Sequence, residues 1–323
     1  LMPAEEIATF REWIEAGMLE GPALRVEPPE LAQFEPTHVA GLAEPYTPDL
    51  DRADDYRCFL MDLEFEEDMY LEGRTVVPGN GLVHHVLVYA LNSSQSETAR
   101  ELDDAEDGIG YTCFGGPIPL RPPNTSGGLA GIGALLEGLA FPEQLGAWVP
   151  GASPAMYEDG TAIRIETGST IVMQVHYSAV AGNAEPDAGT EFQAILTTDE
   201  PDRLARTLPV AEQSFEVAAG DANGSTSMTV EYYGEEPLQI DGLMGHMHLL
   251  GTRIAAEVVR VDGAEECGLD IPDWDFSWQE AYTLAAGSEI VLQSGDAIRL
   301  TCEYDNSAAN QPVVNGVQQE AVD

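Results

Sequence analysis

The chain has 323 residues, enough for two domains, and 44% of them are hydrophobic, so it can bury a core. It carries 57 acidic residues against 13 basic ones, all of them arginine, and the net charge of -44 argues against binding nucleic acid or an anionic membrane surface. The lack of lysine excludes Schiff-base chemistry, and the lack of an 18-residue apolar run predicts no membrane span.

The first 20 residues contain the one segment that predicts a helix. In "MPAEEIATFREWIEAGM", a proline and two glutamates suit the first helical turn. The apolar residues recur at helical spacing and share one face: Ile7, Phe10, Trp13, Ile14 and Met18. Residues 21–45 are rich in proline and acidic residues, which predicts a linker.

From about residue 56 the pattern predicts a mainly β protein with two antiparallel, jelly-roll-like β-sandwich domains after the short helix. Short apolar or alternating runs are separated by Gly, Pro, Asp and Asn: "CFLMDLEF", "GLVHHVLVYAL", "TAIRIE", "STIVMQVHYSAV", "EFQAILTT", "SFEVAAG", "SMTVEYY", "GTRIAAEVVRV" and "DAIRLTCEY". The Gly-rich stretch 127–141 is predicted to be a packed loop. The polar stretch 200–210 breaks the rhythm, so we place the domains at 46–201 and 202–323.

Four cysteines are spread widely along the chain, and none forms a CxxC pair. This spacing argues against a zinc ribbon or a thioredoxin-type site. In an acidic, β-rich chain it favours disulfides, and therefore a secreted or periplasmic location.

Five of the six histidines lie in strand-like runs. In "GHMHLLG", His246 and His248 are two residues apart, so on a strand they would share a face and could hold one metal ion. In "VHHV", His84 and His85 would point to opposite faces. They can reach one ion only if the strand bulges or ends there, or if the two rings use different nitrogens. One of them could also simply face solvent.

His176, in "MQVHYS", would complete a site of three imidazoles with His84 and His85. Histidine sets without cysteine and with few carboxylates suit copper or zinc, and the lack of a neighbouring Asp or Glu disfavours an iron site with two histidines and one carboxylate.

The ordered motifs "YRCF", "VHHVLVY", "MQVHYS", "HMHLLG" and "LTCEYDN" resemble those of the copper type II, ascorbate-dependent monooxygenases, bacterial members in particular, over residues 46–323. The resemblance implies two copper ions per chain on two β-sandwich domains. His84, His85 and His176 match the electron-transfer copper ligands. His246 and His248 match two ligands of the catalytic copper, where O2 would bind.

The resemblance also implies roles for residues around the metals. Gln174 matches a glutamine beside the third histidine, and Cys58 and Cys113 match a disulfide. Cys302 matches a cysteine whose partner lies further on, in an "EMC" motif whose Met ligates the second copper. The chain stops at Asp323, before that motif, so we expect a truncated C-terminal domain.

Four other methionines could offer a thioether to the second copper, but none lies where the family Met does: Met156, Met173, Met228 and Met244. If the natural chain ended at Asp323, Cys302 could instead pair with Cys267.

Two further expectations concern partners. Met244 replaces the arginine with which peptide-amidating members pair the substrate carboxylate, which makes it a substrate-pocket candidate and argues against a glycine-extended peptide. The N-terminal helix resembles the end of a bacterial cytochrome c domain, which could donate electrons.

We therefore expect a monooxygenase that hydroxylates a C–H bond of a small molecule with O2 and ascorbate or another one-electron donor. The alternatives are a copper-binding or electron-relay protein without catalysis, and a structural β-sandwich whose histidines bind zinc or nothing.

Overall fold

The computed structural model describes most of the chain, in two units, residues 1–35 and 36–323. The described residues are 4–18, 34–49, 54–119, 141–158, 160–178, 185–212, 215–276, 278–285, 287–311, 313–314, 317–318 and 321. Residues 127–140 of the predicted loop and residues 21–33 of the predicted linker lie outside them.

Helix α1, Ala4–Glu15, is the described element of the first unit and confirms the predicted helix, with narrower bounds. Its apolar face is largely exposed. In the second unit, helix α2 spans Ser93–Asp104 and is absent from the sequence prediction. Asn92 caps it by accepting hydrogen bonds from the Ser94 and Gln95 backbone amides, and the Gln95 side chain accepts one from the Asn92 amide. None of the described helices is long and apolar enough to cross a membrane.

The remaining elements are strands, which confirms the mainly β prediction. Those of the first half are β1 His38–Gly41, β2 Asp54–Leu60, β3 Met69–Val77, β4 Val83–Leu91, β5 Tyr111–Thr112, β6 Glu143–Trp148, β7 Ala155–Met156, β8 Thr161–Ile165, β9 Thr170–Ser178, β10 Glu191–Thr197 and β11 Arg203–Ala205. Those of the second half are β12 Gly224–Glu231, β13 Leu238–Ile240, β14 Gly242–Met244, β15 Gly251–Val259, β16 Glu265–Ile271, β17 Ala281–Thr283, β18 Ile290–Leu292, β19 Ala297–Tyr304, β20 Val313–Val314 and β21 Val317–Gln318.

The described part of residues 36–205 forms a sandwich of two sheets. One sheet has the order β1-β10-β3-β8-β11, with β7 also paired to β3, and the other has the order β5-β2-β9-β4-β6. One buried apolar cluster draws on both sheets, with Leu71 and Phe192 from the first and Phe59 and Val175 from the second. The pairing is antiparallel except between β8 and β11. The β4 and β9 strands of the second sheet carry three of the histidines.

The described part of residues 224–318 has a four-stranded sheet, β12-β19-β15-β16, and the strand pairs β13-β18, β14-β17 and β20-β21. A second core joins Val258 of the sheet to Ile290 and Leu292 of the β13-β18 pair. Between the two halves, Ala205 packs on the first core and Leu208 on the second. The predicted boundary at 201/202 stays a prediction.

Three sequence expectations need correction. Residues 38–41, assigned to the linker, form β1 and pair with β10. The described part of "SFEVAAG", residues 215–220, is not a strand, and Phe215 instead stacks on Tyr304 of β19 at 5.0 Å between ring centroids.

Cys267 and Cys302 are both unpaired thiols. They lie on β16 and β19, on either side of β15, and this spacing of two strands is about 9.5 Å, beyond the reach of a disulfide.

Candidate metal centre

A β-bulge at the start of β4 brings His84 and His85 toward one point. The pairing of β4 with β9 shifts register between Val83 and His85, and His85 then lies directly opposite His176. A bulge places an extra residue on one strand and re-aims its side chain. Consecutive residues can therefore turn toward the same ligand, which a regular strand would prevent.

The three imidazoles form what we call the three-His cluster: His84, His85 and His176. The Nδ1 atom of His85 lies 3.1 Å from Nδ1 of His176 and 3.4 Å from Nδ1 of His84. One ring nitrogen from each residue lies within 4.8 Å of the others. In the part of the chain that the structure describes, it is the one such group of at least three His, Cys, Asp or Glu side chains.

The cluster is less buried than the sequence pattern indicates. His176 is 6% exposed, His85 is half-buried and His84 is exposed, because the pair stands at the first residues of the strand. Burial, followed by the neighbouring His176 and His84, lowers the pKa of His85 to about 4. Burial also lowers the pKa of His176, although its hydrogen bond to the Asp54 carboxylate opposes this. These two imidazoles are therefore neutral at neutral pH, as metal ligands must be.

Strand β2 supplies two partners of His176 that the sequence prediction missed. The Oδ1 atom of Asp54 lies 2.8 Å from Nε2 of His176. The Tyr56 ring, directly opposite His176 in the register, stacks on it at 4.2 Å with an interplanar angle of 3°. The spacing of Asp54, Tyr56 and Cys58 along one face of β2 is the available signal, but it requires knowing that β2 pairs with β9.

The donor set fits a metal ion that accepts imidazole. Because an ionised carboxylate only accepts hydrogen bonds, Nε2 of His176 carries the proton and its Nδ1 presents a lone pair toward His85. Three nitrogen donors, with no carboxylate or thiolate among them, suit copper or zinc.

The Cys58–Cys113 disulfide is present beside the cluster, as the resemblance implies. It joins β2 to the segment after β5, and both sulfurs are buried. Gln174 is buried on β9 opposite Cys58, and its Nε2 lies 3.4 Å from both the carbonyl oxygen and the sulfur of Cys113. Gln174 therefore links the strand of His176 to the disulfide.

The second histidine pair lies between β14 and β15. His246 and His248 lie in a segment without regular secondary structure, and both are exposed, so the prediction of a buried strand is wrong here. The predicted alternation is present, since Met247 is buried on the opposite side. The two ring centroids are 5.3 Å apart, and the rings are nearly perpendicular at 85°.

A glutamine from a distant loop orients His246. The Oε1 atom of Gln279 lies 2.6 Å from Nδ1 of His246, and the Gln279 amide donates to the carbonyl oxygen of Phe276 at 2.8 Å. Since that amide fixes the side chain, Oε1 accepts a hydrogen bond from the Nδ1–H group of His246, which leaves Nε2 with a lone pair for a metal. Burial and then the charge of His246 lower the pKa of His248.

The two histidine groups lie within electrostatic range of each other. Burial is the main cause of the lowered pKa of His85, but His246 also contributes to it, after His176 and His84.

The surroundings of the His246/His248 pair are apolar and acidic. Five large side chains on the neighbouring segments are exposed: Met244, Leu249, Phe276, Trp278 and Tyr282. Met244 ends β14 and pairs with Ala281 of β17, which brings the two segments together. Residues 241–250 and 272–282 contain four acidic residues and no arginine. A bound anion would therefore find no cation on these segments.

A comparison with protein families gives a match at residues 205–321, to the copper type II ascorbate-dependent monooxygenase, C-terminal domain. No curated protein matches the chain. The matched range contains the His246/His248 pair and Cys302, two of the features that carry the resemblance. Over residues 205–321, the chain is therefore similar to the C-terminal domain of the copper type II ascorbate-dependent monooxygenases.

Proposed function

We propose that the protein is a copper-dependent monooxygenase that hydroxylates a C–H bond of a small molecule, with one copper at the three-His cluster and a second at His246 and His248. The observation that carries the proposal is the convergence of three imidazole nitrogens within 4.8 Å. The family match supports copper over zinc, since this donor set accepts both metals.

The chain's own residues would prepare these sites before a metal arrives. At the three-His cluster, burial keeps His85 and His176 neutral, so their nitrogens are available without the loss of a proton. At the pair, the bond to Gln279 leaves Nε2 of His246 as the free donor. Bound copper would supply one-electron redox chemistry with O2, using electrons from ascorbate or another one-electron donor.

The substrate is proposed to be apolar and without an anionic group. The exposed side chains of Met244, Phe276 and Trp278 offer apolar contact area close in the chain to the histidine pair. A substrate carboxylate would need an arginine, and none lies on the segments around the pair. This supports the prediction that a glycine-extended peptide is not the substrate.

The second candidate is a copper-binding or electron-relay protein that keeps the metals and hydroxylates nothing. It is favoured by the composition of the second site. Among the described residues, no third His, Cys, Asp or Glu joins His246 and His248.

A secreted or periplasmic location is proposed on the strength of the Cys58–Cys113 disulfide, because oxidising compartments preserve such bonds. A cytochrome c as the electron donor stays a prediction.

The test is O2 consumption by the copper-loaded protein with ascorbate, measured with an electrode beside His85→Ala and His246→Ala. We expect consumption that needs both copper and reductant, and that falls strongly in both variants. Free copper at the same total concentration is the control for adventitious catalysis. Equal rates for wild type, variants and free copper would contradict the monooxygenase. Copper binding and reduction at the three-His cluster without O2 consumption would support the relay protein.

A further inference from the structure

Asp54 holds the far side of the His176 ring. Its Oδ1 atom lies 2.8 Å from Nε2, while Nδ1 of the same ring faces His85 at 3.1 Å. The ring therefore has a hydrogen-bond acceptor at one nitrogen and the cluster at the other. Turning the ring by 180° about its Cβ–Cγ bond would put a carbon atom in place of each nitrogen, and would break the bond to Asp54.

A second contact restrains the same ring in another direction. Tyr56 lies parallel to His176, with centroids 4.2 Å apart, and Phe114 packs edge-on against Tyr56 at 5.0 Å. Rotation of the ring about its Cβ–Cγ bond would tilt it off Tyr56 and move Nε2 away from Asp54, so both contacts oppose this rotation. Together they fix which nitrogen faces the cluster and in which direction.

The neighbouring carboxylate has a separate task. Asp55 accepts hydrogen bonds from the Tyr46 hydroxyl at 2.7 Å and from the Asp49 backbone amide at 2.9 Å. Its charge also acts on His176, through space rather than through a bond. Replacing Asp55 therefore removes a neighbouring negative charge, as replacing Asp54 does, but it leaves the hydrogen bond between Asp54 and the His176 ring in place.

We infer that Asp54 is a positioning residue, which sets the Nε2–H tautomer of His176 and so aims its Nδ1 lone pair at the metal position of the three-His cluster. The copper part of this inference rests on the proposed function. Carboxylates that accept from a metal-ligating histidine typically contribute 10- to 100-fold to metal affinity. We expect a loss in this range when Asp54 is replaced by alanine.

The first readout uses the metal-free protein. Long-range 1H–15N spectra of histidine-labelled protein distinguish the two tautomers at pH 7.5. We expect Nε2–H for His176 in the wild type and in Asp55→Asn. Asp54→Asn should retain it, because the amide oxygen still accepts. Asp54→Ala should lose it. A retained Nε2–H tautomer in Asp54→Ala would overturn the inference.

The second readout is copper affinity by competition with a chelator, together with the Cu(II) EPR spectrum. Asp54→Ala should bind cluster copper 10- to 100-fold more weakly with a changed spectrum, and Asp54→Asn should lose less. Equal affinities of Asp54→Ala and Asp55→Asn would overturn the inference. A wild type that binds no copper at the cluster would instead contradict the proposed function. The tautomer measurement alone would then decide the role of Asp54.

Discussion

Removing the Cys58–Cys113 disulfide should destabilise the metal-free protein severely. The bond joins residues 55 apart in sequence, and the chain-entropy model gives about 4 kcal/mol for a loop of that length. Domains of this kind unfold at a cost of about 5 to 15 kcal/mol, so the loss is a large fraction of the total. The perturbation is Cys58→Ala/Cys113→Ala, which replaces both buried sulfurs.

Urea unfolding followed by fluorescence, without metal, measures the change. The matched control is Cys267→Ala, at an exposed and unpaired cysteine, where we expect a change within about 0.5 kcal/mol. A loss of unfolding free energy below about 1 kcal/mol in the double variant would refute this prediction. Residual structure would then restrict the unfolded chain about as much as the disulfide does. The same variant should bind cluster copper more weakly, since Gln174 connects Cys113 to the strand of His176.

Three further outcomes are expected. First, burial lowers the pKa of His85 from 6.5 to about 4, so the unfolded chain binds a proton between these values that the folded protein does not. Urea titrations should show the metal-free protein losing stability as pH falls through this window, by about 2 kcal/mol from His85 between pH 7 and pH 5, and His85→Ala should remove that part. Second, with a net charge of -44, reduction of the copper-loaded protein by anionic ascorbate should speed up with added salt in stopped-flow experiments, whereas a cationic donor should slow down. Third, Gln279→Ala should weaken copper at the second site by roughly 10- to 100-fold in a competition titration and leave the three-His cluster unchanged.

Most strands of seven or more residues could be predicted because they alternate or are continuously apolar, whereas most of the shorter strands were missed. β9 is buried at eight of its nine positions, and five of those eight residues are apolar. β3 escaped prediction because Glu72, Gly73 and Arg74 interrupt its apolar pattern, although Gly73 and Arg74 pair with neighbouring strands. Helix α2 has a weak apolar pattern, and its signal is the Asn92–Gln95 capping pair.

At the site, the sequence identified the histidines and missed what orients them. The histidines stand out because the chain has only six. Asp54 lies 122 residues from His176 and Gln279 lies 33 residues from His246, and each is one of many acidic or amide residues. Their roles depend on strand register and on a loop contact, which single-sequence patterns do not encode. The bulge at His84 is likewise a property of the pairing between β4 and β9.

The central claim is that the histidines form two copper sites, and the copper content of the protein after loading and desalting tests it most directly. We predict two copper ions per chain in the wild type, and about one in each of His85→Ala and His246→Ala. The His38→Ala variant, at a histidine outside both groups, should retain two. Two retained copper ions in both His85→Ala and His246→Ala, or no retained copper in the wild type, would contradict the two copper sites.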